Sequence, residues 1–214
     1  MSRKHRFVPR LETLESRVLP VVTLGFAAAG ASGNYAAGDA TTTDSAGDVY
    51  VAGFFMSSLT LGGTTLNAQG NSDDFVAKFS STGAVLWVKD FGAAGATLNQ
   101  GYTIATDSSG NVYYSGSFTS TVNFGGGYTL SAAGGNNAFV LKLDTNGNTL
   151  WADDLGSGGF AIGTALGLDS QGNVYTTGYF DGTNLDFDPG PGTHFLSSPA
   201  EDTYHLGNNN PHTS

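Results

Sequence analysis

The chain of 214 residues contains no cysteine and little charge. Without cysteine there is no disulfide framework, no thiolate metal site and no cysteine nucleophile. Charged residues make up 12% of the sequence, about half of the share that is usual in soluble domains. Long helical periodicity is also missing, because the 32 glycines interrupt every candidate window after residue 25. These absences exclude a disulfide-stapled domain and disfavour a helical one.

Basic residues are scarce beyond the N-terminus. Five of the eight lie in the first 17 positions, and only Lys78, Lys89 and Lys142 follow. All but two of the 18 acidic residues share that later stretch, so three positive and 16 negative charges leave residues 18–214 at −13. A body this acidic repels phosphate backbones, so we expect no nucleic-acid partner. The lack of arginine after residue 17 also disfavours an enzyme that clamps anionic substrates.

One motif occurs three times. Residues 44–55 read DSAGDVYVAGFF, residues 107–118 read DSSGNVYYSGSF, and residues 169–180 read DSQGNVYTTGYF, at steps of 63 and 62. A fixed period of short strands is typical of a propeller or a solenoid. Each copy predicts a hairpin, the second near residues 101–118. The aspartates that open the copies are expected to cap the hairpin turns, with a cation-ligand role as the alternative; they are Asp44, Asp107 and Asp169.

A second hairpin follows the first in each unit. Residues 74–92, DFVAKFSSTGAVLWVKDFG, match residues 138–156, AFVLKLDTNGNTLWADDLG. Trp87 and Trp151 are 64 residues apart, and we expect them in equivalent, largely buried positions. Two hairpins in roughly 60 residues supply the four strands of a propeller blade.

These runs closely resemble the bacterial β-propeller repeat called the SBBP repeat, over about residues 26–206. The resemblance implies an all-β fold of tandem four-stranded propeller blades, usually in exported or cell-surface bacterial proteins, and no particular reaction. We expect blades near residues 35–92, 101–156 and 161–206, two full and one partial, in an incomplete ring.

The third unit departs from the pattern. Tyr204 is expected where Phe75 and Phe139 stand in their units, and residues 207–214 are expected to form a disordered tail. A closed propeller takes typically 4–8 blades. We therefore expect open sheet faces at both ends of the row, and self-association that completes the propeller.

Residues 1–23 are expected to form a basic, disordered export-type segment, and the run VLPVVTLGFAAAGAS at residues 18–32 has two interpretations. In the first, it is the apolar part of a signal peptide and is too short to span a bilayer. Alternatively the repeat already begins here, because FAAAGAS at residues 26–32 aligns with FGAAGAT at residues 91–97. The pattern of Leu11-Glu12, Leu14-Glu15 and Arg17 before Leu19-Pro20 resembles the N-terminal signature of many exported planctomycete-type proteins. That resemblance implies an extracellular or cell-envelope location.

A calcium site is the second candidate for a bound ion, besides the cation-ligand alternative for the turn aspartates. Asp181, Asp186 and Asp188 lie within eight residues beside the Pro-Gly-Pro-Gly segment 189–192. Closely spaced carboxylates in a stiff loop suit Ca²⁺, and an exposed acidic turn is the alternative. We expect no other cofactor.

No residue set predicts catalysis. The pairs Asp73-Asp74 and Asp153-Asp154 are neighbours on strands, so their side chains point to opposite faces. Zinc-motif spacing is absent among the later histidines; they are His194, His205 and His212. We expect a non-catalytic, exported scaffold that binds a protein or a carbohydrate. The alternatives are a fragment of a propeller-type lyase or hydrolase, and a truncated gene product without independent function.

Overall fold

A computed structural model describes residues 35–96 and 98–208, and every regular element in them is a β-strand. The strands group into three antiparallel propeller blades, which are called the first, second and third sheets below. One bridge joins the second and third into a single seven-stranded sheet, and none of the sheets in the described residues closes into a barrel. Within the described residues no helix is long and apolar enough to cross a membrane. The predicted all-β fold of incomplete propeller blades is confirmed.

The first sheet has the order β1-β2-β5-β6, with the hairpin β3-β4 inserted between its second and third strands. Its bounds are β1 Tyr35–Thr43, β2 Val49–Met56, β3 Ser58–Leu61, β4 Thr64–Asn67, β5 Asp73–Phe79 and β6 Val85–Phe91. The second sheet has the order β7-β8-β9-β10, and a single bridge between Asn136 and Phe160 joins it to the third sheet, β11-β12-β13. Their bounds are β7 Leu98–Thr106, β8 Val112–Asn123, β9 Thr129–Leu143, β10 Thr149–Leu155, β11 Phe160–Leu168, β12 Val174–Asp186 and β13 Phe195–Asn208.

The glycine-rich segments between the two hairpins are themselves paired. In the first sheet this segment forms β3-β4, and in the second sheet it continues β8 and β9 as a long hairpin arm. The tip at Gly62 packs on Val85, so the arm lies across the sheet from β2 to β6. The first two blades therefore each consist of four strands plus a hairpin arm. The third has three strands and its arm in the described residues.

The blades stack through three apolar clusters. One cluster joins Tyr50 and Val76 of the first sheet to Tyr114 and Phe139 of the second. Another joins Tyr113 and other side chains on the opposite face of the second sheet to the third sheet. Because neighbouring residues of a strand point to opposite faces, β8 is buried on both.

The third cluster corrects one expectation. The face of the first sheet that points away from the second was predicted to be open. Instead Val51, Phe55 and Phe75 are buried there, in one cluster with Leu59 and Leu61 of the hairpin arm. The apolar side chains of the hairpin arm pack on this face of the first sheet, in addition to the four strands of the blade.

The C-terminal strand departs from the prediction in its pairing. Gly53 and Gly116 pair with Phe75 and Phe139, and the equivalent Gly178 pairs with His205. His205, not Tyr204, thus takes the position of the two phenylalanines. The polar sequence there has no alternation of apolar residues that would fix a register. β13 runs to Asn208, two residues into the predicted tail. The predicted segment 1–23 lies outside the described residues.

Candidate functional site at the blade junctions

The aspartate that opens each repeat holds its own hairpin turn. In the second sheet, Asp107 Oδ1 accepts hydrogen bonds from the amides of Ser109 and Asn111, both at 2.9 Å. Asp44 and Asp169 make the same pair of bonds in their turns, at 2.9–3.0 Å. The predicted turn caps are confirmed, and these carboxylates are committed to local backbone.

A tyrosine completes each cap, and in the first two sheets a lysine joins it. Sequence reasoning missed both residues. In the first sheet Tyr50 donates a 3.0 Å hydrogen bond to Asp44 Oδ2. Lys78 Nζ lies 3.3 Å from Asp44 and 3.1 Å from Asp48, and 4.9 Å from the centre of the Tyr50 ring. The lysine thus forms ion pairs with two carboxylates and also lies over an aromatic ring.

The second sheet repeats this arrangement with a weaker ion pair. Lys142 lies 3.9 Å from Asp107 and 4.8 Å from the centre of the Tyr113 ring. In the third sheet Tyr175 still donates to Asp169, but the register places Asn208 at the lysine position. Lys78 and Lys142 occupy the same position in the second hairpin of their repeats. This repetition is the sequence signal from which the lysine of the cap could have been predicted.

The caps shift the pKa values of their members. Burial acts to raise the pKa of Asp44, but the Asp48 amide, Tyr50 and Lys78 outweigh it, so this pKa lies below its usual value. Burial raises the pKa of Tyr113, and the charge of Asp107 adds to that effect. The aspartates are therefore fixed as carboxylates and the tyrosines as phenols, which suits a structural clip and not proton transfer.

The two tryptophans occupy equivalent places. Trp87 stands edge-on to Tyr50 and Trp151 edge-on to Tyr113, with 6.0 Å between ring centroids in both pairs. Trp151 is buried, as predicted, whereas Trp87 is half-buried. The Trp87 indole N–H donates a 3.0 Å hydrogen bond to the Thr145 carbonyl of the next blade. The tryptophan therefore links neighbouring blades as well as packing within its own.

A groove of about 380 Å³ opens at the junction of the first and second sheets. It runs between the end of β6 and the hairpin arm of the second sheet, which the Gly92–Asn123 bridge connects. The side chains that line it are mostly amides, hydroxyls and one charge of each sign: Gln69, Lys89, Asp90, Asn123, Asn148 and Thr149. No sequence pattern predicted it, because residues 69 and 148 meet only when two blades stack.

Gly147 explains part of the groove's shape. A methyl group there would lie 3.0 Å from the Trp87 ring, and the glycine has φ of +78°. Larger residues would therefore be strained in conformation and would push the tryptophan aside. With Gly125 and Gly126, which also line it, the groove has low walls that leave backbone polar groups accessible.

Asp74 lies inside the same junction and is closed to solvent. It is fully buried, and Tyr114 donates a 2.7 Å hydrogen bond to it. Its partner in the predicted pair, Asp73, instead accepts bonds from the amides of Gln69 and Gly70. The two carboxylates therefore make different contacts, as predicted for neighbours on a strand whose side chains point to opposite faces.

The candidate calcium ligands also bind backbone. Asp186 Oδ1 accepts hydrogen bonds from the amides of Asp188 and His194, and Asp188 Oδ1 accepts one from Gly190. Asp181 pairs with Phe160 in the β11–β12 ladder. Among the side chains that the structure describes, no three carboxylate or histidine groups are placed to hold a metal ion. The calcium site stays a prediction.

The remaining candidates are dispersed. Asp154 accepts a hydrogen bond from Asn137, and Asp153 pairs with Val140 on the neighbouring strand. The side chain of His194 is exposed. The side chains of His205 and His212 are not among those that the structure describes.

Comparison with known proteins supports a β-propeller repeat. Residues 86–124 match the family model of the SBBP β-propeller repeat. The matched stretch begins in β6 and ends just after β8, so it spans the first junction. An uncharacterized WD repeat-containing protein of Acanthamoeba polyphaga mimivirus is 27% identical over 198 residues. That alignment covers 78% of this chain and 14% of the viral protein, so the chain spans about a seventh of that relative.

Proposed function

Because this chain carries the SBBP β-propeller repeat, we propose that it is a non-catalytic binding module, and that the groove between its first and second sheets takes a neutral carbohydrate. The observation that carries the proposal is the lining of that groove. Gln69, Asn123 and Asn148 bring amides, which both donate and accept hydrogen bonds, as sugar hydroxyls do. Lys89 and Asp90 balance each other in charge, so the groove favours an uncharged polar ligand over an ionic one.

The size and walls of the groove support the same ligand class. Its volume of about 380 Å³ is at the lower end of the range for small-ligand sites, which suits one or two sugar rings. Glycine walls let a flat ring approach the backbone closely. Trp87 stands directly behind Gly147 and gives this part of the groove a rigid aromatic support.

The duties of the carboxylates support a non-catalytic role. The aspartates repeated in each blade hold turns, and Asp74 is sealed between two sheets where no substrate reaches it. A glycoside hydrolase would need a pair of accessible carboxyls flanking the ligand, and the groove has one, Asp90.

A glycan array probed with the purified chain tests the binding. We expect selective binding of neutral oligosaccharides that is lost in Gln69→Trp, which fills the groove. Gln171→Trp makes the same change at an exposed turn of the third sheet and should bind like the natural chain. Absence of any bound glycan, or equal binding by both variants, would contradict the site. Cleavage of the bound glycan would favour the enzyme alternative.

We also propose that the protein is exported, to the cell surface or the medium. The basic segment 1–23 and its resemblance to exported proteins support this. Fusion of residues 1–34 to a reporter that is active only outside the cytoplasm is the test. An inactive reporter would remove the proposal without affecting the binding site.

A further inference from the structure

The turn cap of the third sheet has its carboxylate and its tyrosine but not the lysine of the other two. Tyr175 donates a 3.2 Å hydrogen bond to Asp169 Oδ2, as the tyrosines of the first two sheets do to their aspartates. In those sheets the lysine lies directly opposite the tyrosine on the paired strand, and in the third sheet Asn208 has that position. The sequence has no lysine or arginine after residue 142, so β11, β12 and β13 do not supply the charge.

The two complete caps show which group this arrangement binds. Lys78 Nζ lies 4.9 Å from the centre of the Tyr50 ring, and Lys142 Nζ lies 4.8 Å from that of Tyr113. The same two ammonium groups lie 3.3 and 3.9 Å from the turn aspartates of their sheets. A carboxylate and the tyrosine bonded to it therefore hold a lysine ammonium in both sheets.

In the third sheet the same pair of groups is open to solvent. Tyr50 and Tyr113 are 0% and 1% exposed, whereas Tyr175 is 40% exposed. The Asp169 side chain beside it is half-buried. An ammonium group from outside the blade can therefore reach the ring of Tyr175 and the carboxylate of Asp169 together, which the closed caps of the first two sheets do not allow.

Further aromatic and acidic groups lie along the same face of β12. Alternate residues of a strand point to one face, so Tyr179 and Asp181 lie in line with Tyr175, and both are exposed. Phe160 lies opposite Asp181 on β11, and its ring centroid is 5.9 Å from that of Tyr179. Tyr175 and Asp181 are six residues apart, a distance of about 20 Å along a strand. The face thus has a carboxylate at each end and aromatic rings between them.

We propose that this face of the third sheet binds an extended, lysine-bearing segment of a partner protein. One lysine of the partner takes the place at Asp169 and Tyr175 that the chain's own lysines take in the first two sheets. A second lysine, six residues further along the partner, pairs with Asp181. The apolar side chains between the two lysines pack on Tyr179 and Phe160.

The charge of the chain favours a basic partner. Residues 18–214 carry three positive and 16 negative charges, a net −13. A surface with this charge attracts basic segments and repels acidic ones. The site lies on the third sheet and the groove lies at the junction of the first two, so we expect this binding to be independent of carbohydrate binding.

Fluorescence anisotropy of a labelled peptide with the full chain tests the proposal. The peptide Ser-Lys-Thr-Val-Thr-Leu-Thr-Lys-Ser has two lysines six residues apart, and when extended it places Val and Leu on the same side as the lysines. We expect a dissociation constant of about 10⁻⁴ M at low salt. Acetylation of both lysines removes their charge and should weaken binding by about tenfold or more. No binding, or equal binding of the acetylated peptide, would overturn the proposal.

Variants of the chain distinguish a lysine site from a generally acidic or apolar surface. Asn208→Lys places a lysine at the register position of Lys78 and Lys142, so it should fill the site and weaken peptide binding by about fivefold or more. Tyr175→Leu keeps an apolar side chain but removes the ring, and should weaken binding to a similar extent. Ser109→Lys adds the same charge at an exposed turn of the second sheet and should bind the peptide nearly as the natural chain does.

The comparison between the two lysine variants decides the outcome even if Tyr175→Leu does not fold. Equal affinities of Asn208→Lys and Ser109→Lys would mean that net charge or another surface controls the binding, and would overturn the proposal. Sedimentation of the natural chain without peptide tests the other occupant. A dimer that Asn208→Lys dissociates and Ser109→Lys does not would assign the face to a second copy of the chain, which would overturn the assignment to a separate partner.

Discussion

Tyr114 donates a 2.7 Å hydrogen bond to Asp74 across the junction between the first and second sheets. Asp74 is fully buried, and its other oxygen has no hydrogen-bond partner in the part of the chain that the structure describes. Burial raises the pKa of Asp74 to about 8 against the opposing effect of the Tyr114 bond, and the nearby Asp39 and Asp73 add to the rise. The two blades are therefore packed around a carboxyl group that is mostly protonated at neutral pH.

The variant Asp74→Asn should change how stability depends on pH. A carboxyl whose pKa is raised in the folded state binds more protons there than in the unfolded chain between about pH 4 and pH 8. The natural chain should lose stability as pH rises through that window, by up to about 1.4 kcal/mol per pH unit. The amide that replaces the carboxyl has the same shape and does not titrate. If the two proteins are equally stable at pH 5, urea unfolding should therefore show the variant about 4 kcal/mol more stable at pH 8.5, from three pH units at about 1.4 kcal/mol each.

Asp181→Asn is the control for this comparison, because Asp181 is exposed on β12. The same substitution there removes no buried carboxyl, so a change that both variants share is not caused by the burial of Asp74. The turn aspartates, such as Asp44 and Asp107, have lowered pKa values, so their contribution is lost only as pH falls below about 4. A profile for Asp74→Asn that is parallel to the natural one from pH 5 to pH 8.5 would contradict the burial of a titrating carboxyl.

The two lysine clips should differ in strength. Lys78 contacts two carboxylates at 3.3 and 3.1 Å and its side chain is 11% exposed, whereas Lys142 contacts one at 3.9 Å. We expect Lys78→Met to destabilise the chain by about 1–2 kcal/mol and Lys142→Met by less than about 1 kcal/mol. Urea unfolding at low salt and in 1 M salt measures both, and salt should narrow the difference. Equal losses would mean that the tyrosine stacking dominates, not the ion pairs.

The sequence was sufficient for features that depend on local pattern. The period-2 alternation of a strand puts the neighbours Tyr113 and Tyr114 on opposite faces, and they lie in different clusters. The turn aspartates followed from the composition of a four-residue turn, and the tryptophan pair from its spacing. These features repeat in each unit, so each copy checks the others.

Features that depend on stacking could not be predicted from the sequence. The groove needs Gln69 and Asn148 from two different blades. The raised pKa of Asp74 arises from the sheet that packs over it, and nothing in the neighbouring residues indicates that burial. The arm β3-β4 contains strands of only four residues, too short for a period-2 pattern to distinguish from a loop.

Calorimetry can decide the predicted calcium site. Asp186 and Asp188 already accept hydrogen bonds from backbone amides, so a bound Ca²⁺ would share these oxygens with the amides. We therefore expect weak binding, with a dissociation constant of about 10⁻⁴–10⁻³ M. The heat of binding should disappear in the double variant Asp186→Asn, Asp188→Asn, and Mg²⁺ should give little signal. A flat Ca²⁺ trace, or one that survives both substitutions, would remove the site.

The glycine of each repeat that lies against the bulge of the neighbouring strand should not tolerate a larger side chain. A methyl group on Gly53 would lie 1.9 Å from the Ala37 carbonyl oxygen, and one on Gly178 equally close to the Ile162 carbonyl oxygen. The neighbouring strand bulges at these points, so the backbone itself occupies the space of a side chain.

Because backbone cannot move aside as a side chain can, Gly53→Ala and Gly178→Ala should each cost about 3 kcal/mol or more. Gly167→Ala is the matched control in the third sheet, since a methyl group there meets nothing within 4 Å. It should change the free energy of unfolding by no more than about 0.5 kcal/mol. If Gly53→Ala does not fold, Gly178→Ala still tests the need for glycine. It lies in the third sheet, which packs against one other described sheet. Urea midpoints for Gly178→Ala and Gly167→Ala that coincide would show that the close strand approach does not require glycine.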